Sequence, residues 1–163
     1  MDYCDTNILT AFVNRDNIDY NFGKRYKVKK IFGFRNIVAE NKLKNLNECV
    51  ISRVPLMRDL GGNPGAVGGF LTSRGLKNIK IVNINGFDEG REAFDHICKR
   101  LSEKSRFYKK FCEDKKIKND LDINKKNDIA HFGSAIKINA ENFITADKDF
   151  KEVGKYFKKI NVI

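Results

Sequence analysis

Asp5 follows Tyr3-Cys4 and precedes Thr6-Asn7 and the apolar pair Ile8-Leu9. Far along the chain, Asp128 leads into Ile129-Ala130, and Asp147 and Asp149 come after the run Phe143-Ile144-Thr145. Carboxylates crowded together repel one another and resist ionising unless a hard divalent cation neutralises them. A set of oxygen ligands with retained water suits Mg²⁺ or Mn²⁺, whereas zinc prefers Cys and His. Such an ion activates a water, aims it at phosphorus and steadies the charge that develops on the phosphoryl oxygens. Hydrolysis of a phosphodiester is the chemistry these residue types offer. No Ser, His and acid arrangement stands out for covalent hydrolysis, and Ser134 belongs to a small-residue packing face. His96 has no acidic or cysteine partner at ligand spacing, and His131 reads as a polar helix residue on nearly the same face as Asp128.

These acids meet only if the chain delivers them to one end of a sheet. Apolar runs predict strands at 1–4, 49–51, 79–84, 142–145 and 160–163. Helices are expected after Asp5, from Pro55 through Leu60, from Asp88 to Leu101, over 105–116, from a cap at Asn127 through Ile136, and through Val153 and Phe157. This alternation argues for a mainly parallel sheet of four or five strands with helices on both faces, a three-layer α/β/α sandwich. In such a sheet functional groups gather at the carboxyl ends of strands, where strand order reverses. Asp5 and Asp147 fall at such ends, Asp128 at a helix start that can lean over the same rim, and Asp59 on the helix leaving the second strand. Each acid also has a local reading. Asp5 is a good helix N-cap, Asp128 suits the first turn of a helix, Asp147 fits an ordinary turn, and Asp59 and Asp149 fit a surface. Their joint placement sets them apart.

The 163 residues fit one domain spanning 1–163, large enough to bury a core without staples. The 13 Phe and 5 Tyr argue against disorder, and apolar runs are too short and too broken for a membrane span. With 32 Lys and Arg against 21 Asp and Glu the net charge is +11, which makes nucleic acid the first partner to consider. Lys24, Arg25 and Arg74 are candidate substrate contacts. The first two lie in a basic, aromatic-interleaved stretch at 22–34 suited to tracking a backbone and stacking bases, and equally to filling a core with its aromatics. Residues 61–69 read as a glycine-rich loop without the Gly-Lys-Ser/Thr ending of a phosphate loop. The Lys-rich stretches at 99–118 and 151–159 read as solvated faces. Cys4, Cys49, Cys98 and Cys112 stand singly in apolar surroundings and are expected to be buried thiols. The opening Met1-Asp2-Tyr3 lacks the basic and apolar regions of a secretory signal, so a cytoplasmic location is expected.

Asp5-Thr6-Asn7-Ile8-Leu9, Asp128-Ile129-Ala130 leading to Ser134-Ala135, and Phe143-Ile144-Thr145-Ala146-Asp147-Lys148-Asp149-Phe150 together resemble the PIN-domain ribonuclease family. The likeness covers about a third of the chain, at its two ends. It implies an α/β/α sandwich, a Mg²⁺ or Mn²⁺ cluster and cleavage of single-stranded RNA. By position, Asp5 matches the first family acid, Asp128 the third and Asp147 the fourth, with Asp149 auxiliary and Thr6, Asn7 and Thr145 beside them as substrate contacts. The second acid is normally a Glu after the second strand; Asp59 is the best counterpart here and Glu48 the fallback. Many such proteins are toxins with an antitoxin partner and pair as homodimers, while others process RNA; the long segment between Asp5 and Asp59 departs from compact toxins. Two rivals stand beside it: a catalytically silent nucleic-acid- or protein-binding domain on the same fold, and a haloacid-dehalogenase-type phosphatase, which needs an Asp where Asn7 stands.

Overall fold

Five short apolar runs form five strands in the computed structural model, which describes residues 1–8, 42, 48–60, 79–112 and 123–163. They are β1 (Asp2–Cys4), β2 (Cys49–Ser52), β3 (Ile79–Val82), β4 (Asn142–Ile144) and β5 (Asn161–Val162). All neighbouring pairs are parallel, in the order β3-β2-β1-β4-β5. Tyr3 lies between Val50 and Phe143, so the middle of β1 is also the middle of the sheet. From β1 the chain builds outward through β2 to β3, then returns to the other side of β1 for β4 and β5. The reversal falls between β1 and β4, and their carboxyl ends flank the crevice where an open parallel sheet binds ligands.

Among the described residues the helices are α1 (Arg53–Leu60), α2 (Phe87–Cys98), α3 (Arg106–Phe111), α4 (Ile123–Lys137) and α5 (Asp149–Tyr156). Helical backbone also begins at Thr6, directly after Asp5, and Lys42 is helical. In α2 the spacing of Ala93, Phe94 and Ile97 turns one apolar face inward, while Asp88 and Glu89 suit the positive end of the helix dipole. That face meets α4 at very close range: a Cβ on Gly133 would overlap the backbone of Gly86 and Gly90. Only glycine permits this approach. The core below it is aromatic, with Phe94 edge-on to Phe107 and Phe111, Phe132 edge-on to Phe143, and Tyr3 stacked on Phe143 at 5.7 Å between centroids.

Three expectations change. Helix α4 starts at Ile123, about a turn before the expected cap, so Asn127 lies inside it, 1% exposed. Helix α3 ends at Phe111, its N-cap Ser105 accepting from Tyr108 N at 2.9 Å. Cys98 and Cys112 are a disulfide joining the end of α2 to the end of α3, whereas Cys4 and Cys49 are the expected buried thiols, side by side on β1 and β2. The pairing escapes a sequence reading because no short Cys spacing announces it; two helix ends bring the sulfurs together. Among the described residues no helix is long and apolar enough to cross a membrane. Lys24, Arg25, Arg74, the basic aromatic stretch and the glycine-rich loop lie outside the described residues.

Candidate active site

Asp5 leaves β1 with its backbone N–H still bonded to Ile144 O of β4 at 3.0 Å, so it sits at the carboxyl rim beside the crevice. It is 6% exposed, and its carboxylate accepts from Thr6 N at 2.7 Å, Asn7 Nδ2 at 2.7 Å and Thr145 Oγ1 at 2.8 Å. Asn7 Oδ1 in turn accepts from Ala146 N at 3.0 Å, and Thr145 Oγ1 accepts from Asp147 N at 3.0 Å. The segments after β1 and β4 are thus one hydrogen-bonded unit. Thr6, Asn7 and Thr145, expected as substrate contacts, direct these polar atoms into the unit itself. Asp147 Oδ1 accepts from Asp149 N at 2.9 Å, turning the chain into α5.

The feature the sequence reading missed is Lys110. Its ammonium stands 3.0 Å from Asp128 Oδ2, 3.0 Å from Asp149 Oδ2 and 3.9 Å from Asp147 Oδ2. One turn earlier on α3, Arg106 Nε meets the other Asp149 oxygen at 2.9 Å. Asp149, 4% exposed, is therefore a buried anion gripped by two cations. The signal was present in the sequence. Arg106 and Lys110 are four apart, next to Phe107 and Phe111, also four apart, so a helix burying the aromatic stripe carries the basic stripe along its edge. The stretch read as a solvated face has one side turned onto the acids.

Asp128 reports how crowded this place is. Burial chiefly, and then the charge of Asp5, push its carboxyl up to about 7 despite Lys110, with Asp147 adding to the push. Lys110 is in turn held above its usual range by Asp128, Asp149 and Asp147, against the cost of its burial. Asp5, Asp128, Asp147 and Asp149 consequently share one electrostatic environment at the β1/β4 rim. Glu48 does not join them. It precedes β2, at the amino edge of the parallel sheet, and pairs there with Lys80. Asp59 is the penultimate residue of α1, and its side chain is outside the described residues.

His131, a turn after Asp128, is built into the interior. It is 1% exposed, with Nδ1 2.8 Å from Tyr3 Oη and Nε2 2.8 Å from Thr6 Oγ1. Ser52 N donates to the same Tyr3 oxygen at 3.0 Å. The two ring nitrogens thus bridge the hydroxyls of Tyr3 and Thr6. The imidazole therefore fastens α4 to β1 and to the turn that presents Asp5, 3.9 Å from its carboxylate.

As the side chains stand, no group of three or more His, Cys, Asp or Glu among the described residues is arranged to hold a metal ion. The cation that Asp128, Asp147 and Asp149 share is the ammonium of Lys110. The donor chemistry itself is all carboxylate oxygen, the kind that hard divalent ions take. No protein-family model, curated protein or solved structure matches the chain.

Proposed function

We propose that this protein is a Mg²⁺- or Mn²⁺-dependent endoribonuclease of the PIN type, hydrolysing phosphodiester bonds of single-stranded or flexible RNA. The supporting observation is the reversal of strand order between β1 and β4, which sets Asp5 and Asp147 at one rim beside Asp128 of α4, whose carboxyl burial chiefly, and then the charges of Asp5 and Asp147, raise to about 7. Asp5, Asp128 and Asp147 would hold the ion, with Asp59 completing the set and Asp149 in support. When bound, such an ion supplies an activated water and charge stabilisation at phosphorus. The chain's own residues do the rest. Thr6 N, Asn7 and Thr145 fix the Asp5 carboxylate so that little reorganisation is left, and Arg106 holds Asp149 in place while the flexible four-carbon stem of Lys110 lets its ammonium swing toward a phosphate oxygen. The layered packing, a toxin or RNA-processing role, an antitoxin, a homodimer and a cytoplasmic location belong to the same proposal through the resemblance.

A second reading is a catalytically silent binding domain on this fold. One observation favours it: the Lys110 ammonium already stands between Asp128 and Asp149. The discriminating experiment is cleavage of a labelled single-stranded RNA with Mn²⁺ and with chelator, for the parent chain and Asp5→Asn. Nuclease activity predicts Mn²⁺-dependent products that vanish in the folded variant. Absence of products from the parent chain, or equal cleavage by Asp5→Asn, refutes it.

A further inference from the structure

Beside the carboxylate rim, along α5 and the edge strand β5, lies a groove of about 430 Å³. Lys42, Lys151, Lys155 and Lys158 line it together with Thr145 and Asp147. Lys151 and Lys155 are four apart on α5 and so project side by side, with about 5–6 Å between their Cβ atoms. Lys151, Lys155 and Lys158 are exposed. Among the described residues no carboxylate forms an ion pair with any of the four lysines; Asp149 of α5 turns inward to Arg106 and Lys110. Partial burial and the charge of Lys151 both pull Lys42 below the usual lysine range. Four lysines against the one Asp147 side chain leave the trench with an excess of positive charge, and an external polyanion relieves it.

We propose that this groove is the track along which the phosphodiester backbone of a single-stranded polynucleotide runs into the acidic rim, its phosphates seated on Lys42, Lys151, Lys155 and Lys158. The direction of travel rests on the nuclease reading, because Asp147 belongs to both the groove and the carboxylate cluster. Binding by the lysines does not depend on that reading. Several separate positive charges in one groove match a ligand that carries repeated negative charges, whereas a single phosphate would leave most of them unpaired.

The test is binding of a fluorescently labelled oligouridylate by anisotropy in chelator, where no cleavage intervenes, across a salt series. Single-strand binding loses about 0.7 in the log–log salt slope for each phosphate contact removed. Lys151→Gln/Lys155→Gln should therefore lower the slope by about 1.4, so that between about 50 and 200 mM salt the parent affinity falls about 7-fold more than that of the variant. Lys80→Gln/Lys99→Gln, on the far edge strand and beyond α2, should leave the slope unchanged. Circular dichroism establishes that both variants fold. Equal slopes in the parent chain and the α5 variant, or no binding by the parent chain, overturn the proposal. Equally tight and salt-sensitive capture of polyglutamate overturns it in favour of an acidic protein partner. Lysine-dependent binding by a parent chain that does not cleave RNA leaves the groove standing and counts against the nuclease reading only.

Discussion

Asp128 gives the sharpest quantitative handle on the carboxylate rim. In an unfolded chain its carboxyl ionises near 3.8, and in the folded protein at about 7, because it is buried beside Asp5 and Asp147. A group whose folded pKa is raised binds more protons in the native state between those two values. Its contribution is therefore fully present below about pH 4 and is lost as the pH rises to about 7. At about 1.36 kcal/mol per pKa unit the whole span amounts to about 4 kcal/mol, a large share of the roughly 5–15 kcal/mol that holds a typical domain together. Asp128→Asn removes the titration while keeping the shape of the side chain. Urea unfolding of both proteins from about pH 4.5 to 8 should show the two stability curves diverging, the parent chain losing a few kcal/mol that the variant keeps. By about pH 8 the variant should be the more stable, less the Lys110 pair it gives up. Parallel curves over this range would refute the account of a crowded, buried carboxylate.

Two further outcomes rest on the same geometry. Lys110→Met leaves Asp128, Asp147 and Asp149 without their shared ammonium. Thermal melts in chelator at about pH 8 should show a loss of about 3 kcal/mol, as for other buried pairs deprived of one partner. Millimolar Mn²⁺ should restore more stability to this variant than it adds to the parent chain, and equal gains would separate the lysine from the cation site. The Cys98–Cys112 disulfide closes a loop with a sequence separation of 14. Removing it as Cys98→Ser/Cys112→Ser should cost about 3 kcal/mol in urea unfolding, and thiol titration should rise by two groups on reduction of the parent.

Much of the sheet was legible because its strands are short apolar runs bounded by acids and turns. Cys49-Val50-Ile51 and Phe143-Ile144 read as strands, and both runs are inside. The rim was legible for the same reason: Asp5 and Asp147 come just after strands, and a parallel sheet collects the residues leaving its strands along a single edge. The hidden part depends on contacts between distant segments. Lys110 lies in a stretch whose composition is that of a solvated helix, and only the docking of Phe107 into the core turns its basic stripe onto Asp128 and Asp149. His131 looked like an ordinary polar helix residue, yet it is a buried hydrogen-bonded post between Tyr3 and Thr6. Thr6, Asn7 and Thr145 were expected to face substrate, and local sequence does not tell a hydroxyl that grips a ligand from one that grips the neighbouring carboxylate. Glu48 was excluded by direction alone, since it enters β2 where Asp5 leaves β1.

On the proposed nuclease function the β1/β4 rim takes up a divalent cation through Asp5 and Asp147. Electron paramagnetic resonance of Mn²⁺ titrated into the protein at alkaline pH measures this without any substrate. Saturable binding is expected for the parent chain and should be lost in folded Asp5→Asn/Asp147→Asn. Unbound Mn²⁺ throughout the parent titration, or identical binding by the variant, would contradict it.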